Sequence, residues 1–261
     1  MTTYKTLELK QDSEVATITL TRPEKRNAIS VQMIEDLLEA LGEAETGTAR
    51  VVILTGAGNA FCAGMDIDEL RAIASPSHEQ HLEESQRTAR MFFRLYRFPK
   101  PLIAAVNGPA IAGGCGIATL ADFTLAVPEA KFGYTEVKIG FIPALVSVFL
   151  RRQIGEKGMR DLLLTGRIIS AAEALQMGLI TEVVPGEKLL ARAREIATTL
   201  ISSSPTSLAR TKRLLLQFDE KSIEEEIDLA VRENAAIRST PDFREGVTSF
   251  LEKRPPKWSG E

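Results

Sequence analysis

The sequence predicts an α/β protein that ends in a helical extension. Two observations carry this. Apolar, β-branched runs alternate with amphipathic stretches through the first half, and after Pro143 helix signals take over almost completely. VATITL (15–20) is β-branched and alternating, and Arg22-Pro23 closes it as a strand. Ser30 stands where a helix N-cap is expected, ahead of Ile34, Leu37, Leu38 and Leu41, which share one helical face. ARVVILTG (49–56) is a continuous apolar run ending in glycine, the pattern of a strand covered on both faces. His78 to Phe98 is predicted as a long polar helix stopped by Pro99 and Pro101. PLIAAVNG (101–108) is another buried strand, followed by ADFTLAV (121–127) and KFGYTEV (131–137). Ser170 with Glu173, and Ser222 with Glu225, match the capping-box spacing. Pro241 suits the first turn of a last helix, which Pro255 and Pro256 bring to an end. The SSSPTS stretch (202–207) marks a joint, so a core of residues 1–204 and a helical region of 205–261 are expected.

The chain has 261 residues, 44% of them hydrophobic and 26% charged, which suits one large globular domain or a main domain with an appendage. A net charge of -3 argues against a dedicated nucleic-acid binder, whose surface must neutralise phosphate. No apolar run reaches the length of a membrane span, and MTTYKTLELK lacks the apolar segment of a signal peptide. A cytoplasmic location is the expectation. Cys62 and Cys115, in Ala/Gly-rich surroundings, fit reduced thiols.

Two segments share a grammar: VVILTGAGNAFCAGMDIDEL (51–70) and LIAAVNGPAIAGGCGIATLAD (102–122) each run from apolar strand to glycine-bearing turn to helix start. The first amides of a helix have no intrahelical acceptor and point outward, and the macrodipole adds partial positive charge there. Glycine lets a ligand come close to the backbone. Two such turns facing each other would offer converging N–H donors to an oxyanion. In a third segment, KFGYTEVKIGFIP (131–143), Glu136 follows a β-type run at what reads as a strand end, where a carboxylate could move a proton.

Together AFCAGMDIDEL, VNGPAIAGGCGIATLAD and KFGYTEVKIGFIP resemble the crotonase superfamily, the enoyl-CoA hydratase/isomerase family. The likeness begins at RPEKRNAI (22–29), continues through GRIISAAEALQMGLITEVV (166–184) and ends at FREGVTSFLEKR (243–254). The resemblance implies a spiral of β-β-α units with a helical C-terminal region that drives trimerisation, two trimers commonly stacking into a hexamer. It implies an acyl-CoA substrate, with coenzyme A as part of that substrate and no metal or redox cofactor. It places the oxyanion donors on the amides of Met65 and Gly113, and the proton-transferring carboxylate on Glu136. It sets Lys25, Arg26 and Ala28 near the phosphates and pantetheine, and Ala63, Asp66 and Ile67 around the adenine. Phe250 and Lys253 match residues that a neighbouring subunit brings to the nucleotide end.

One position departs from the pattern. The second catalytic glutamate of the hydratases falls on Gly116, which has no side chain to hold water. Hydration of a short or branched enoyl-CoA with one carboxylate, isomerisation by Glu136 alone, and a silent acyl-CoA binder all stay open. Dienoyl isomerisation is disfavoured, because its extra aspartate falls near Ala144. Other motifs fail. Gly56-Ala57-Gly58 lacks the third glycine of a dinucleotide fingerprint, Phe61 standing in its place, and no G-x-S-x-G elbow is present. His78 and His81 have no companion ligands and are expected to be exposed, and Glu224, Glu225 and Glu226 are expected to form a solvated face.

Overall fold

The computed structural model describes residues 3–73, 77–217 and 220–259. β1 (Leu7–Asp12) and β2 (Val15–Leu20) form an antiparallel hairpin. The sequence pattern signals β2 and misses β1. LELKQD lies at the sheet edge, buries only Leu7 and leaves most of its side chains in water, so no run of core residues marks it. After α1 (Val31–Thr46), whose Ser30 hydroxyl accepts the Met33 amide at 3.2 Å, the chain enters β3 (Val51–Gly56), buried along almost its whole length. Then come α2 (Ile67–Ile73), α3 (His78–Tyr96), β4 (Leu102–Val106), β5 (Ala110–Ile111), α4 (Gly113–Thr119), β6 (Phe123–Ala126) and β7 (Lys131–Gly133). A 3₁₀ turn (Glu136–Ile139) leads to α5 (Ala144–Thr165), which bends at Gly155. β8 (Ile168–Ser170), α6 (Ala171–Gln176), β9 (Glu182–Val183), α7 (Leu189–Ile201), α8 (Pro205–Gln217), α9 (Glu220–Ala236) and α10 (Pro241–Glu252) complete the chain.

The larger sheet has the order β1-β2-β3-β4-β6-β9, parallel beyond β2, and the smaller one β5-β7-β8. Isolated bridges Ile29↔Met65 and Cys62↔Ala110 extend the smaller pattern toward the N-terminus. Each turn of the fold therefore runs from a strand of the large sheet to a short strand or bridge, and then to a helix. This is the β-β-α spiral that the resemblance implies. A parallel strand must return by a crossover, and here the short second strand carries each crossover past the same place. The main core is one apolar cluster that includes Ile18, Ile53, Leu54, Ile103, Ala104 and Leu125 of the large sheet and Leu37 and Leu41 of α1.

Several expectations change in the structure. The region after Pro143 is nearly all helix, as expected, but β8 and β9 add two short strands too brief to show a period. Ser170 does cap α6, accepting the Glu173 amide at 3.2 Å. Ser222 lies inside α9 rather than at its start, and its side chain is outside the described residues. Among Glu224, Glu225 and Glu226, two bind across helices: Glu226 pairs with Arg151 and Arg152 at 3.1 and 2.8 Å, and Glu224 with Arg97 at 3.1 Å. His81 is buried, only 3% exposed. It lies one turn before Ser85, whose hydroxyl donates to Asn234 of α9, so this face of α3 is covered by α9. The side chain of His78 falls outside the described residues. Thr240 caps α10 with Pro241 in its first turn, and Lys253 ends the helix in the left-handed region.

Candidate active site

The two glycine turns come together because their strands do. Ile111 donates its amide to the Cys62 carbonyl at 3.0 Å, and a Cβ on Gly64 would sit 3.0 Å from the Ile111 carbonyl oxygen and 3.1 Å from the Ala112 Cβ. Only a glycine fits there, and its φ of 88° is one that other residues rarely adopt. Gly64 thus delivers Met65 beside Ala112 and Gly113. The carbonyl of Gly64 is taken by the Ile29 amide at 2.7 Å, and the Asp66 amide by the Ile29 carbonyl at 2.8 Å. Between them the Met65 amide has no protein acceptor among the described residues, and neither has that of Gly113, the first residue of α4. Both residues line a cavity of about 570 Å³. Ala112 precedes Gly113 with φ 51° and ψ -127°, a strained conformation for a residue with a Cβ and one that tends to occur at functional sites.

Glu136 lines the same cavity. It does not end a strand, as its sequence context suggests; β7 stops at Gly133, and Glu136 opens the 3₁₀ turn. The run KFGYTEV alternates like a strand, but the turn at Glu136–Gly140 packs directly on α10. A Cβ on Gly246 would lie 2.8 Å from the Gly140 amide, so the two backbones touch. Glu136 is 8% exposed, its Oε2 has no partner among the described residues, and burial raises its pKa from 4.5 to about 7. The Met65 side chain packs with Leu70, Phe243 and Val247, so the methionine anchors α2 to α10.

Gly116 lies one helical turn beyond Gly113, and its missing side chain has been replaced by others. A Cβ there would stand 2.8 Å from Val146 Cγ1 and 3.0 Å from Phe92 Cε1. Val146 of α5 and Phe92 of α3, both buried, occupy the room a second carboxylate would need. Sequence reasoning locates the gap but not its filling, because neither residue lies near Gly116 in the chain.

Of the residues expected around coenzyme A, Lys25, Arg26, Ala28, Ala63, Asp66, Ile67 and Phe250 line the cavity. Lys253 does not. Phe250 comes from the same chain, so this residue reaches the rim without a neighbour's help. Lys25 is paired with Asp68 at 2.9 Å, which holds its pKa above the usual range. Asp66 is committed internally: it accepts from Arg22 at 2.6 Å and caps α2 through the Asp68 amide at 3.0 Å. Arg22 also donates to the Ala28 carbonyl, tying the 22–28 loop to the Met65 turn. Replacing Asp66 with alanine would strand a largely buried guanidinium, and a loss of about 3 kcal/mol in urea unfolding is expected. A loss under about 1 kcal/mol would mark the pair as an ordinary surface bridge.

Polar residues that sequence reasoning did not single out line the wall beyond Phe92. These are Glu84, Arg87 and Thr88 of α3, Asn234 of α9, and Arg238 just after it. The 84-88-92 spacing on α3 is visible in the sequence as one helical face, but a Glu-Thr-Phe stripe does not distinguish a cavity wall from a surface. Cys62 and Cys115 are buried free thiols, both pushed up to about 12 by burial. Among the described residues no cluster of His, Cys, Asp or Glu is placed to hold a metal, and no helix is long and apolar enough to cross a membrane.

A family model described as enoyl-CoA hydratase/isomerase matches residues 10–261. The chain is 45% identical over 249 residues to a Thermus thermophilus protein named as an enoyl-CoA hydratase, covering 95% of this chain and 98% of that one. It is 37% identical over 245 residues to the enoyl-CoA hydratase EchA19 of Mycobacterium tuberculosis, covering 92% and 91%. The crystal structure of carnitinyl-CoA hydratase from Mycobacterium avium superposes with a TM-score of 0.87 at 32% identity, covering 99% of this chain and all of that one.

Proposed function

The chain belongs to the enoyl-CoA hydratase/isomerase family, and on that premise we propose that it adds water across the 2,3 double bond of a short or branched enoyl-CoA thioester. The observation that carries this reading is Glu136, a buried carboxyl with one unpartnered oxygen, in the same cavity as the uncommitted amides of Met65 and Gly113. The thioester oxygen accepts from both amides. Ionised Glu136 takes a proton from water as the water oxygen bonds to the β carbon. The π electrons pass into the enolate, whose charge grows on the oxygen held by the two amides. The enolate then collapses and takes the proton back from Glu136 at the α carbon. A single carboxyl whose pKa of about 7 lies near the operating pH can perform both transfers. Each amide donor contributes about 3–4 kcal/mol to the enolate-like transition state.

Coenzyme A lies along Lys25, Arg26, Ala28, Ala63, Asp66, Ile67 and Phe250 in this reading, with Lys253 near the nucleotide end. Asp66 acts there by shaping the loop rather than by touching the ligand. The reading includes a trimer or stacked trimers in the cytoplasm. Its support is α8, which buries none of its residues within one chain and leaves Leu214 and Leu215 mostly exposed.

One observation favours a second reading. The apolar Val146–Phe92 wall stands where a water-holding carboxylate would be, and isomerisation needs no water. Incubation with crotonyl-CoA and hex-3-enoyl-CoA in heavy water separates the two. Hydration is expected to give 3-hydroxybutyryl-CoA carrying deuterium at the α carbon. Conversion of hex-3-enoyl-CoA to hex-2-enoyl-CoA with no hydroxyacyl product would assign the isomerase instead, and no conversion of either thioester would leave a binder.

A further inference from the structure

Tyr134 is 1% exposed, a large side chain wholly inside the core, and it precedes Glu136 by two residues. β7 ends at Gly133 and the 3₁₀ turn begins at Glu136, so Tyr134 and Thr135 form the link between them. Among the described residues the main chain of Tyr134 makes no hydrogen bond, and neither does the Thr135 amide. The link that carries Glu136 is therefore placed by the Tyr134 side chain rather than by a strand ladder.

That side chain reaches α4. Its hydroxyl lies 3.3 Å from Thr119 Oγ1 and within hydrogen-bonding reach of the Cys115 thiol. Cys115 and Thr119 stand one turn apart on one face of the helix, while Gly116 is turned toward Val146 and Phe92. Thr119 Oγ1 also donates to the Gly116 carbonyl at 3.5 Å. One order uses the single proton of each group: Cys115 donates to Tyr134, Tyr134 to Thr119, and Thr119 to the carbonyl of Gly116. The chain begins and ends on α4 and passes through Tyr134 between.

α4 is also the helix that opens with Gly113, the proposed second oxyanion donor. Ala112, just before it, donates its amide to the Gly133 carbonyl at 2.7 Å. The Glu136 segment is thus fastened to both ends of α4, by backbone beside Gly113 and by the Tyr134 hydroxyl beside Thr119. These fastenings fix the separation between the group that moves the proton and the amide that holds the thioester oxygen. A misplacement of about 1 Å in such a geometry can cost about a hundredfold in rate. A tyrosine that merely fills a core needs some partner for its hydroxyl. Here the partners lie on the oxyanion helix, and the link that the tyrosine steadies has no ladder of its own.

We propose that Tyr134 is a positioning residue: held by Thr119 and Cys115, it sets Glu136 at the distance from the Gly113 amide at which a proton passes to or from the α carbon. The proposal rests on Glu136 as the proton carrier and adds a residue that touches neither substrate nor reacting atoms. Tyr134 does not line the cavity, so removing its hydroxyl acts on turnover and leaves thioester binding alone.

The test measures kcat and KM with crotonyl-CoA and with hex-3-enoyl-CoA. Tyr134→Phe keeps the ring in the core and removes the hydroxyl. It is expected to lower kcat about tenfold or more, with KM unchanged. Thr119→Val removes the partner at nearly the same shape and is expected to do likewise. The double variant should lose little more than either single one, because both changes remove one bond. Thr119→Ser, which returns a hydroxyl to that place, is expected to recover most of the rate lost in Thr119→Val. A tyrosine that only fills the core would lower the melting temperature and leave kcat unchanged, and that result overturns the proposal. So do losses that multiply in the double variant, or a rise in KM that accounts for the whole fall in kcat/KM. If the wild type isomerises hex-3-enoyl-CoA without hydrating crotonyl-CoA, and the variants slow that reaction in the same pattern, the hydratase reading falls and the positioning role stands. Turnover of neither thioester by the wild type overturns both.

Discussion

Replacing Glu136 with glutamine is expected to lower kcat on the order of a thousandfold while the protein stays folded. Glutamine keeps the shape and the neutral charge that Glu136 has below its pKa, but it can neither take nor return a proton. The wild-type rate is expected to rise with pH through about 7, as Glu136 ionises to the form that accepts the proton from water. The residual rate of the variant should show no such inflection. Stability supplies an independent reading of the same group. Burial raises the folded pKa from 4.5 to about 7, so the folded state holds the proton more tightly than the unfolded chain. The associated stability is fully present below pH 4.5 and is lost as pH rises through 7, a change of about 3 kcal/mol. The glutamine variant escapes this loss. It should melt above the wild type at pH 8 to 9, the advantage vanishing near pH 4. A variant with full turnover would remove Glu136 from the chemistry. A variant with low turnover but no pH-dependent gain in stability would show that its carboxyl is better solvated than its surroundings indicate.

The parts of the site legible in the sequence are those built from backbone. Gly64 and Gly113 announce themselves because a turn that lets a ligand approach the main chain demands glycine, and each follows a buried strand that ARVVILTG and PLIAAVNG make plain. Glu136 is identifiable only through the resemblance of its segment, since a lone carboxylate carries no signal of burial. Its place in a 3₁₀ turn rather than at a strand end depends on α10 pressing against Gly140, a contact more than a hundred residues away in the chain. β1 is silent for the opposite reason: an edge strand faces water, so its sequence looks like a loop. Arg238 and His81 are misleading or mute because residue type argues for exposure, and their burial comes from the packing of α3 against α9. The pairing of Gly116 with Val146 and Phe92 is the extreme case. Three elements must meet before a missing side chain and its substitutes can be matched.

That match gives the largest expected effect on folding. Installing the absent carboxylate by Gly116→Glu should not convert the protein into a two-carboxylate hydratase. The first added atom already lies 2.8 Å from Val146 and 3.0 Å from Phe92, both held in a packed core, and a contact under 3.0 Å requires something to move. Overpacking of this kind costs about 1–3 kcal/mol. The rest of the side chain then either places a charge in an apolar pocket or stays protonated there, each adding a few kcal/mol. A total loss of about 4 kcal/mol or more is expected against a whole stability of about 5–15 kcal/mol. It should appear as a lower urea midpoint with an unchanged slope. Gly116→Ala isolates the first atom and should lose only about 1–2 kcal/mol. Adding Val146→Ala and Phe92→Leu to Gly116→Glu reopens the volume that a glutamate needs, and should recover much of the lost stability even though each truncation alone is destabilising. That sign reversal is the decisive outcome, because only residues that share one space can show it. If Gly116→Glu were tolerated alone, or if the truncations merely added their losses to it, Val146 and Phe92 would be neighbours of the vacant position rather than its occupants. The one-carboxylate site would then rest on Gly116 alone.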